Sequence, residues 1–283
     1  MSICFTCSQC GKRYKVKDGH AGRRVKCKAC GTPIQIPVQP RTVGDQEEVS
    51  EAGTAIKRYT ARERSSEPAF GGEDLEAISN HIEKHVGKIA TVYHELISDL
   101  VHVDVHIVEP TDDKPYYTLV TSGMSDKPMQ AQEGAEDCRH AELLISLPAT
   151  WQMSEEALKD KHNYWPIRWL KMLARFPHEF DTWIWYGHTL PNGERAEPYA
   201  DNTKLCCALL LQPALAPEEF SELKVSEEKT IYFLSFVPIY AEEMTFKLKN
   251  GLDPLLQRFA QHEINEVLDI GRTNVCKKLW PFK

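Results

Sequence analysis

The chain has 283 residues, of which 42% are hydrophobic and 27% charged, and its formal net charge is −7. That length allows one sizeable domain plus a small accessory module, with the composition of an ordinary soluble protein. It excludes a membrane-spanning helix: the longest clean apolar run, Leu205 to Leu211, has the length of a buried strand, far short of the roughly eighteen residues needed to cross a bilayer.

Lys12, Arg13, Lys15 and Lys17 interrupt any secretory apolar core at the N-terminus, which predicts a cytoplasmic protein. Residues 1–40 hold eight Lys/Arg and one acid, Asp18, so they carry +7, and −7 minus +7 leaves −14 for residues 41–283. Such asymmetry points to different partners for the two parts, nucleic acid among them for the basic one. Lysines attracted to an anionic thiolate site are the favoured reading of the basic charge.

Five of the nine cysteines fall in the first thirty residues. Cys7-x2-Cys10 and Cys27-x2-Cys30, sixteen residues apart, read as a tetrahedral zinc ribbon with one structural zinc ion. Gly11 and Gly31 follow the second cysteine of each pair, where a tight turn needs them; Cys4 lacks such a glycine after its partner and reads as a spare thiol. Tyr14, Val16 and Val25 predict short strands between the knuckles. Only Phe5 and Tyr14 offer stacking surfaces for nucleic acid. The predicted organisation is a zinc ribbon over 1–38, a polar flexible linker over 39–72, a main domain over 73–276 and a tail over 277–283.

In the main domain, Leu75, Ile78, Ile82, Val86, Ile89, Tyr93 and Leu96 fall on one face of a long amphipathic helix. Val101, Val103, Val105 and Ile107 then alternate with His102, Asp104 and His106, predicting a half-buried strand with a solvated polar face; metal binding by the two histidines is the less favoured alternative. Further strands are expected at 116–122, 140–147, 182–190, 204–212 and 230–239. A Trp-rich helix is expected at about 164–176, and two more helices after Tyr240, the second beginning near Asp253-Pro254. Irregular mixing of strands and helices makes the class α+β, a mixed β-sheet flanked by helices. Cys206 and Cys207 read as small buried apolar residues on opposite sheet faces.

No phosphate-binding loop, dinucleotide fingerprint or nucleophile elbow is present. The segment Phe176 to Thr189 concentrates His178, Glu179, Asp181, Trp183, Trp185, Tyr186 and His188. A hydrolase-like pairing of His188 with Asp181 or Glu179 lacks an obvious nucleophile, so an enzyme is disfavoured. The same residues read as core anchors, or as an interaction surface.

The blocks YYTLVTSGMSDKPM, RHAELLISLP, WPIRWLKMLARFPHEFDTWIWYGHTLPNG, PYADNTKLCCALLLQP and IYFLSFVPIYAEEMTFKLKNG, in this order, resemble the suppressor of fused family over most of residues 74–276. The first forty residues resemble the N-terminal zinc ribbons of many bacterial regulatory proteins. The family resemblance implies a domain without catalytic activity that binds protein. The animal member, a Hedgehog-pathway repressor, adds a transcription-factor peptide as a strand between two lobes. Bacterial single-lobe relatives resemble immunity proteins that neutralise toxins, and this chain matches only the N-terminal lobe. Carried over, Phe176, Asp181, Trp185, Tyr186 and His188 are the expected partner-binding residues, with Phe176 also readable as core. The acidic main domain suits a basic partner, such as a toxin domain or an added peptide strand. A regulatory adaptor whose ribbon touches nucleic acid is the alternative.

Overall fold

The structure, a computed structural model, describes residues 2–6, 9–10, 12–17, 24–35, 48–59, 72, 74–95 and 101–277. Cys7, Gly11, most of the expected linker and residues 278–283 of the expected tail lie outside them. The chain divides into two compact units, Met1–Glu48 and Val49–Lys283.

In the first unit, β1 (Ser2–Thr6) pairs antiparallel with β2 (Arg13–Lys17), and β3 (Arg24–Lys26) with β4 (Pro33–Gln35). The expected short strands around Tyr14, Val16 and Val25 are present. Gly31 takes φ +75°, and its N–H donates to the Cys27 carbonyl at 2.8 Å, so the glycine after the second knuckle cysteine is needed for its backbone.

The second unit begins at Val49, the last residue of the two-residue strand β5 (Glu48–Val49), and continues with β6 (Ala55–Ile56) and α1 (Leu75–His85). The helix is shorter than the heptad-like spacing predicts. Gly87 has φ +155°, its N–H closes on the Ile82 carbonyl at 3.1 Å, and the β-branched residues after it form β7 (Ile89–Tyr93) instead. Then follow β8 (Asp104–Val108), β9 (Tyr116–Ser122), β10 (Ala141–Pro148), α2 (Lys161–Glu179), β11 (Thr189–Pro191), β12 (Cys207–Leu211), β13 (Glu222–Lys224), β14 (Thr230–Ile239), α3 (Ala241–Asn250) and α4 (Leu252–Gln261). Asp160 caps α2, its carboxylate accepting from the His162 N–H at 2.9 Å.

One eight-stranded sheet runs β11-β12-β14-β10-β9-β8-β7, with β13 also on β14. Every pairing is antiparallel except β10 with β14. Alternate residues feed opposite layers. Leu143, Ile145, Leu234, Phe236, Ala208 and Leu210 join the cluster that includes Trp165, Leu170 and Leu173 of α2. On the other face, Leu144, Val120 and Phe233 pack with Ile78 and Ile82 of α1, and Cys207, Leu209, Val237 and Ile239 with Leu255 and Phe259 of α4. Burial on both faces explains the continuous apolar runs of these strands. The α+β assignment, a mixed sheet flanked by helices, holds.

Three local expectations change. The polar side of 101–107 is solvated only at His102, whose side chain is 40% exposed; β8, with Asp104 and His106, is buried on both faces. Asp104 accepts from His94 Nδ1 at 2.8 Å, His102 Nε2 at 3.0 Å and the Glu95 N–H at 2.9 Å, and His106 Nε2 meets Ser122 Oγ at 2.9 Å. The strand expected at 182–190 shrinks to Thr189–Pro191. Cys206 precedes β12, so the alternation of faces does not reach it; its sulfur lies 3.8 Å from that of Cys207, in the same cluster.

Residues 49–59, expected to belong to a tether, are bonded to the second unit. The Ala52 N–H donates to the Leu248 carbonyl of α3 at 3.1 Å, Lys249 pairs with Glu51 at 3.3 Å, and Tyr59 Oη meets Thr182 Oγ1 at 2.7 Å. A composition count sees polar residues here and misses the aromatic ring, which sits 5.1 Å from that of Phe176.

Candidate functional site

In the first unit, ligand atoms of Cys10, Cys27 and Cys30 lie within 4.8 Å of one another, and this group can hold a metal ion. Cys27 is buried while Cys10 and Cys30 are exposed, as suits a site that closes over one buried sulfur. The Lys28 N–H donates to Tyr14 Oη at 2.9 Å, which directs the phenolic hydrogen toward Cys27 Sγ, also at 2.9 Å. That hydrogen bond, with further ones from the Cys30 and Ala29 backbone, lowers the Cys27 thiol to about 6 against the opposing effect of burial, favouring the thiolate a metal requires. The donor set is all sulfur, which fits zinc chemistry. Among the described residues no other His, Cys, Asp and Glu group meets this criterion, so the alternative of a metal held by His102 and His106 gains no geometric support.

In the second unit, the expected partner-binding residues fall into two aromatic groups. Phe176, on α2, packs partly on the core and contacts Phe180 at 4.8 Å and Tyr59 at 5.1 Å between ring centroids. Asp181 follows at φ +48°, exposed, where the chain leaves the helix. The second group is a turn over 185–188. The His188 N–H donates to the Trp185 carbonyl at 3.0 Å, and Gly187, at φ +77°, donates to the Leu210 carbonyl at 2.7 Å. A left-handed glycine beside sheet edge β11 is why this segment turns instead of continuing as a strand. Trp185 stacks edge-on with Tyr232 at 5.0 Å, Trp183 edge-on with His188 at 5.2 Å, and Tyr186 is 42% exposed, one of few large side chains so presented. No ring contact among the described residues joins the two groups.

The catalytic reading of His188 finds no support in this geometry. Its Nδ1 accepts the Trp185 N–H at 3.2 Å. Burial, with the positive charges of Lys247 and Lys57, pushes the ring down to about 4, so it is neutral near pH 7. The charges that shift it are those of Lys247 and Lys57.

Residues 99–273 match the family described as Suppressor of fused protein (SUFU). The chain belongs to the suppressor of fused family. Among solved structures it is similar to a putative SUFU homolog from Neisseria gonorrhoeae, 18% identical, over 72% of this chain and 97% of that one, with TM-score 0.52. It is also similar to the Sufu–Fu complex structure, 15% identical, over 71% of this chain and 91% of that one, with TM-score 0.51. At these identities the likeness shows the suppressor of fused fold. No curated protein sequence matches the chain.

Three residues of this suppressor of fused domain escaped the sequence reading. Lys57 and Tyr59 lie in a stretch that reads as linker, and Lys247 looks like an ordinary surface lysine of α3. Lys247 is only 4% exposed. Nothing in the mixed sequence of α3 separates Lys247 from Lys249; only the packing does.

Proposed function

We propose that this suppressor of fused domain is a non-catalytic binding protein that sequesters or neutralises a protein partner. The family is one of protein-binding regulators, and a solved structure of similar fold is itself a Sufu–Fu complex. The observation that carries the reading to this chain is the exposed Tyr186 on a turn held rigid by backbone hydrogen bonds, with Trp185 and His188 beside it. Exposed rings on a preorganised turn bury large area on docking at little entropic cost. The −14 of residues 41–283 favours fast capture of a basic partner, and neutralising a toxin domain is the task that fits best. The partner sites are Phe176, Asp181, Trp185, Tyr186 and His188.

Full-length protein incubated with native lysate is expected to retain one stoichiometric protein. Tyr186→Ala and Trp185→Ala should each weaken that complex by about 2 kcal/mol, roughly thirtyfold, with unchanged circular dichroism. Undiminished retention by both variants sinks the assignment of this face. Loss of all retained material on nuclease treatment would favour the nucleic-acid adaptor instead.

For the first unit we propose one structural zinc held by Cys7, Cys10, Cys27 and Cys30. Bound there, the ion cross-links the knuckles of a unit too small to bury a sufficient core. The support is the convergence of three sulfurs and the thiolate-stabilising Tyr14 hydroxyl. Elemental analysis of the purified chain should give about one zinc per molecule. Cys27→Ser should bring it to a small fraction of that while the second unit keeps its melting transition. Stoichiometric zinc in the Cys27→Ser protein would refute the ligand set.

A further inference from the structure

The segment 49–59 ends in a contact with the expected partner face. The Tyr59 ring stands edge-on to Phe176 at 5.1 Å and tilted to Phe180 at 5.6 Å, and its hydroxyl meets Thr182 Oγ1 at 2.7 Å. Phe176 and Phe180 themselves lie 4.8 Å apart, at the C-terminal end of α2. Both are half-buried, and Thr182 is only 5% exposed. Two rings with a buried hydroxyl at their end make a subsite for one phenol. The rings take its apolar body, and the Thr182 oxygen takes its polar tip; a phenylalanine would leave that oxygen without this partner. Asp181 falls between Phe180 and Thr182, so Tyr59 contacts the stretch that supplies two of the expected partner sites, Phe176 and Asp181.

The remainder of the segment is lightly held. β5 and β6 have two residues each, too few to be stable alone. Its ties to α3 are the hydrogen bond from the Ala52 N–H to the Leu248 carbonyl at 3.1 Å and the Glu51–Lys249 pair at 3.3 Å, whose two side chains are exposed and so contribute little. Residues 51–53, 55, 57 and 58 are exposed as well. A stretch with so little burial opens locally at low cost. Tyr59 lies seven positions after Ala52, which keeps a released ring within about 25 Å of that anchor. It therefore returns at high effective concentration, as a reversible competitor does.

We propose that the subsite of Phe176, Phe180 and Thr182 receives a tyrosine side chain of the protein partner, and that Tyr59 fills it in cis until the partner displaces it. This rests on the reading of Phe176 and Asp181 as partner sites and adds the side chain they select. Occupancy in cis reduces the apparent affinity of every ligand of the subsite by the same factor, so weak apolar ligands are turned away and a partner with further contacts is kept.

The test is titration, by fluorescence anisotropy, of a labelled synthetic peptide of residues 51–59 with full-length protein, wild type and Tyr59→Ala. The variant should bind the peptide at least about tenfold more tightly than wild type, because its subsite is open. A peptide carrying Tyr59→Phe should bind the variant about fivefold more weakly. A tyrosine that only stabilises the end of α2 would lower the melting temperature of Tyr59→Ala without creating a site for the peptide. Equal binding to both proteins, no binding to either at about 1 mM, or indifference to the peptide hydroxyl would each overturn the proposal. The protein retained from native lysate separates the subsite from the reading beneath it: Tyr59→Ala should hold it about tenfold more tightly. A variant that takes the peptide but holds that protein no differently removes Phe176 and Asp181 from the partner face, and the partner's tyrosine with them. A weaker complex would make Tyr59 part of the partner surface and end its role as competitor. Absence of peptide binding, with the retained protein still lost on Tyr186→Ala, would overturn the subsite and leave the binding function standing.

Discussion

Arg272→Leu is expected to destabilise the second unit by about 3–5 kcal/mol, enough to lower its melting temperature by on the order of 10 °C. Glu243 is fully buried near the start of α3, and Arg272 is 8% exposed in its side chain. The carboxylate accepts from both guanidinium nitrogens, at 2.7 and 2.5 Å, from the Tyr240 N–H at 3.0 Å and from the Val275 N–H at 3.2 Å. The guanidinium also donates to the Pro238 carbonyl at 3.3 Å and lies over the Tyr240 ring. One pair thus closes the end of β14, the first turn of α3 and the segment after α4 into a single knot. Removing the cation alone strands a buried anion. Replacing both, as Arg272→Leu with Glu243→Leu, should recover part of the loss, because no charge is then left unpaired. Calorimetry of the two variants decides it. A single variant within about 1 kcal/mol of wild type would mean that water replaces the arginine and the pair is not what closes the knot.

Glu142 gives the second large effect, expressed as pH dependence. It is fully buried in β10, with Thr121 Oγ1 donating at 2.6 Å and the Ser125 N–H and hydroxyl at 2.9 and 2.6 Å. Burial raises the carboxyl to about 7, against 4.5 for a free glutamate; the hydrogen bonds from Ser125 and Thr121 act the other way. A raised carboxyl pKa means that the folded state prefers the proton. Its contribution is fully present below about pH 4.5 and is lost as pH rises to about 7. The loss is on the order of 3 kcal/mol. Urea unfolding of wild type and Glu142→Gln at pH 5 and pH 8 should show the variant gaining on wild type at the higher pH by that amount. A difference independent of pH would show that the buried carboxylate ionises without cost. The group matters locally because it pins the turn after Gly123, where a Cβ would stand 1.8 Å from the His102 carbonyl oxygen.

Much of the second unit was legible because its strands are buried on both faces. The apolar runs at 116–122, 140–147 and 230–239 correspond to β9, β10 and β14 within about a residue at each end. Misreadings occurred where backbone conformation overrode pattern. Ile89 and Tyr93 continue the phase of α1, yet a left-handed glycine at Gly87 turns them into an edge strand. Trp183 and Trp185 alternate as a strand would, yet Gly187 folds them into a turn. The polar residues of β8 read as solvated because alternation cannot distinguish water from a buried partner such as Ser122. For the candidate sites, cysteine spacing found three converging sulfurs. The low exposure of Lys247 is set by packing and is not legible in the sequence of α3.

The one parallel pairing of the sheet has a kinetic consequence. β7 to β10 are neighbours in sequence and form a meander that can close as soon as residue 148 is available. Ala141 pairs with Tyr232, 91 positions later (232 minus 141). At roughly 5–20 residues per second, synthesis of that stretch takes about 5–20 s. During that interval Leu143 to Leu147, which end fully covered on both sides, present an open apolar edge to whatever is nearby. The nascent chain is therefore most exposed to misassociation between the emergence of β10 and that of β14, and a holding chaperone would find its target in that window.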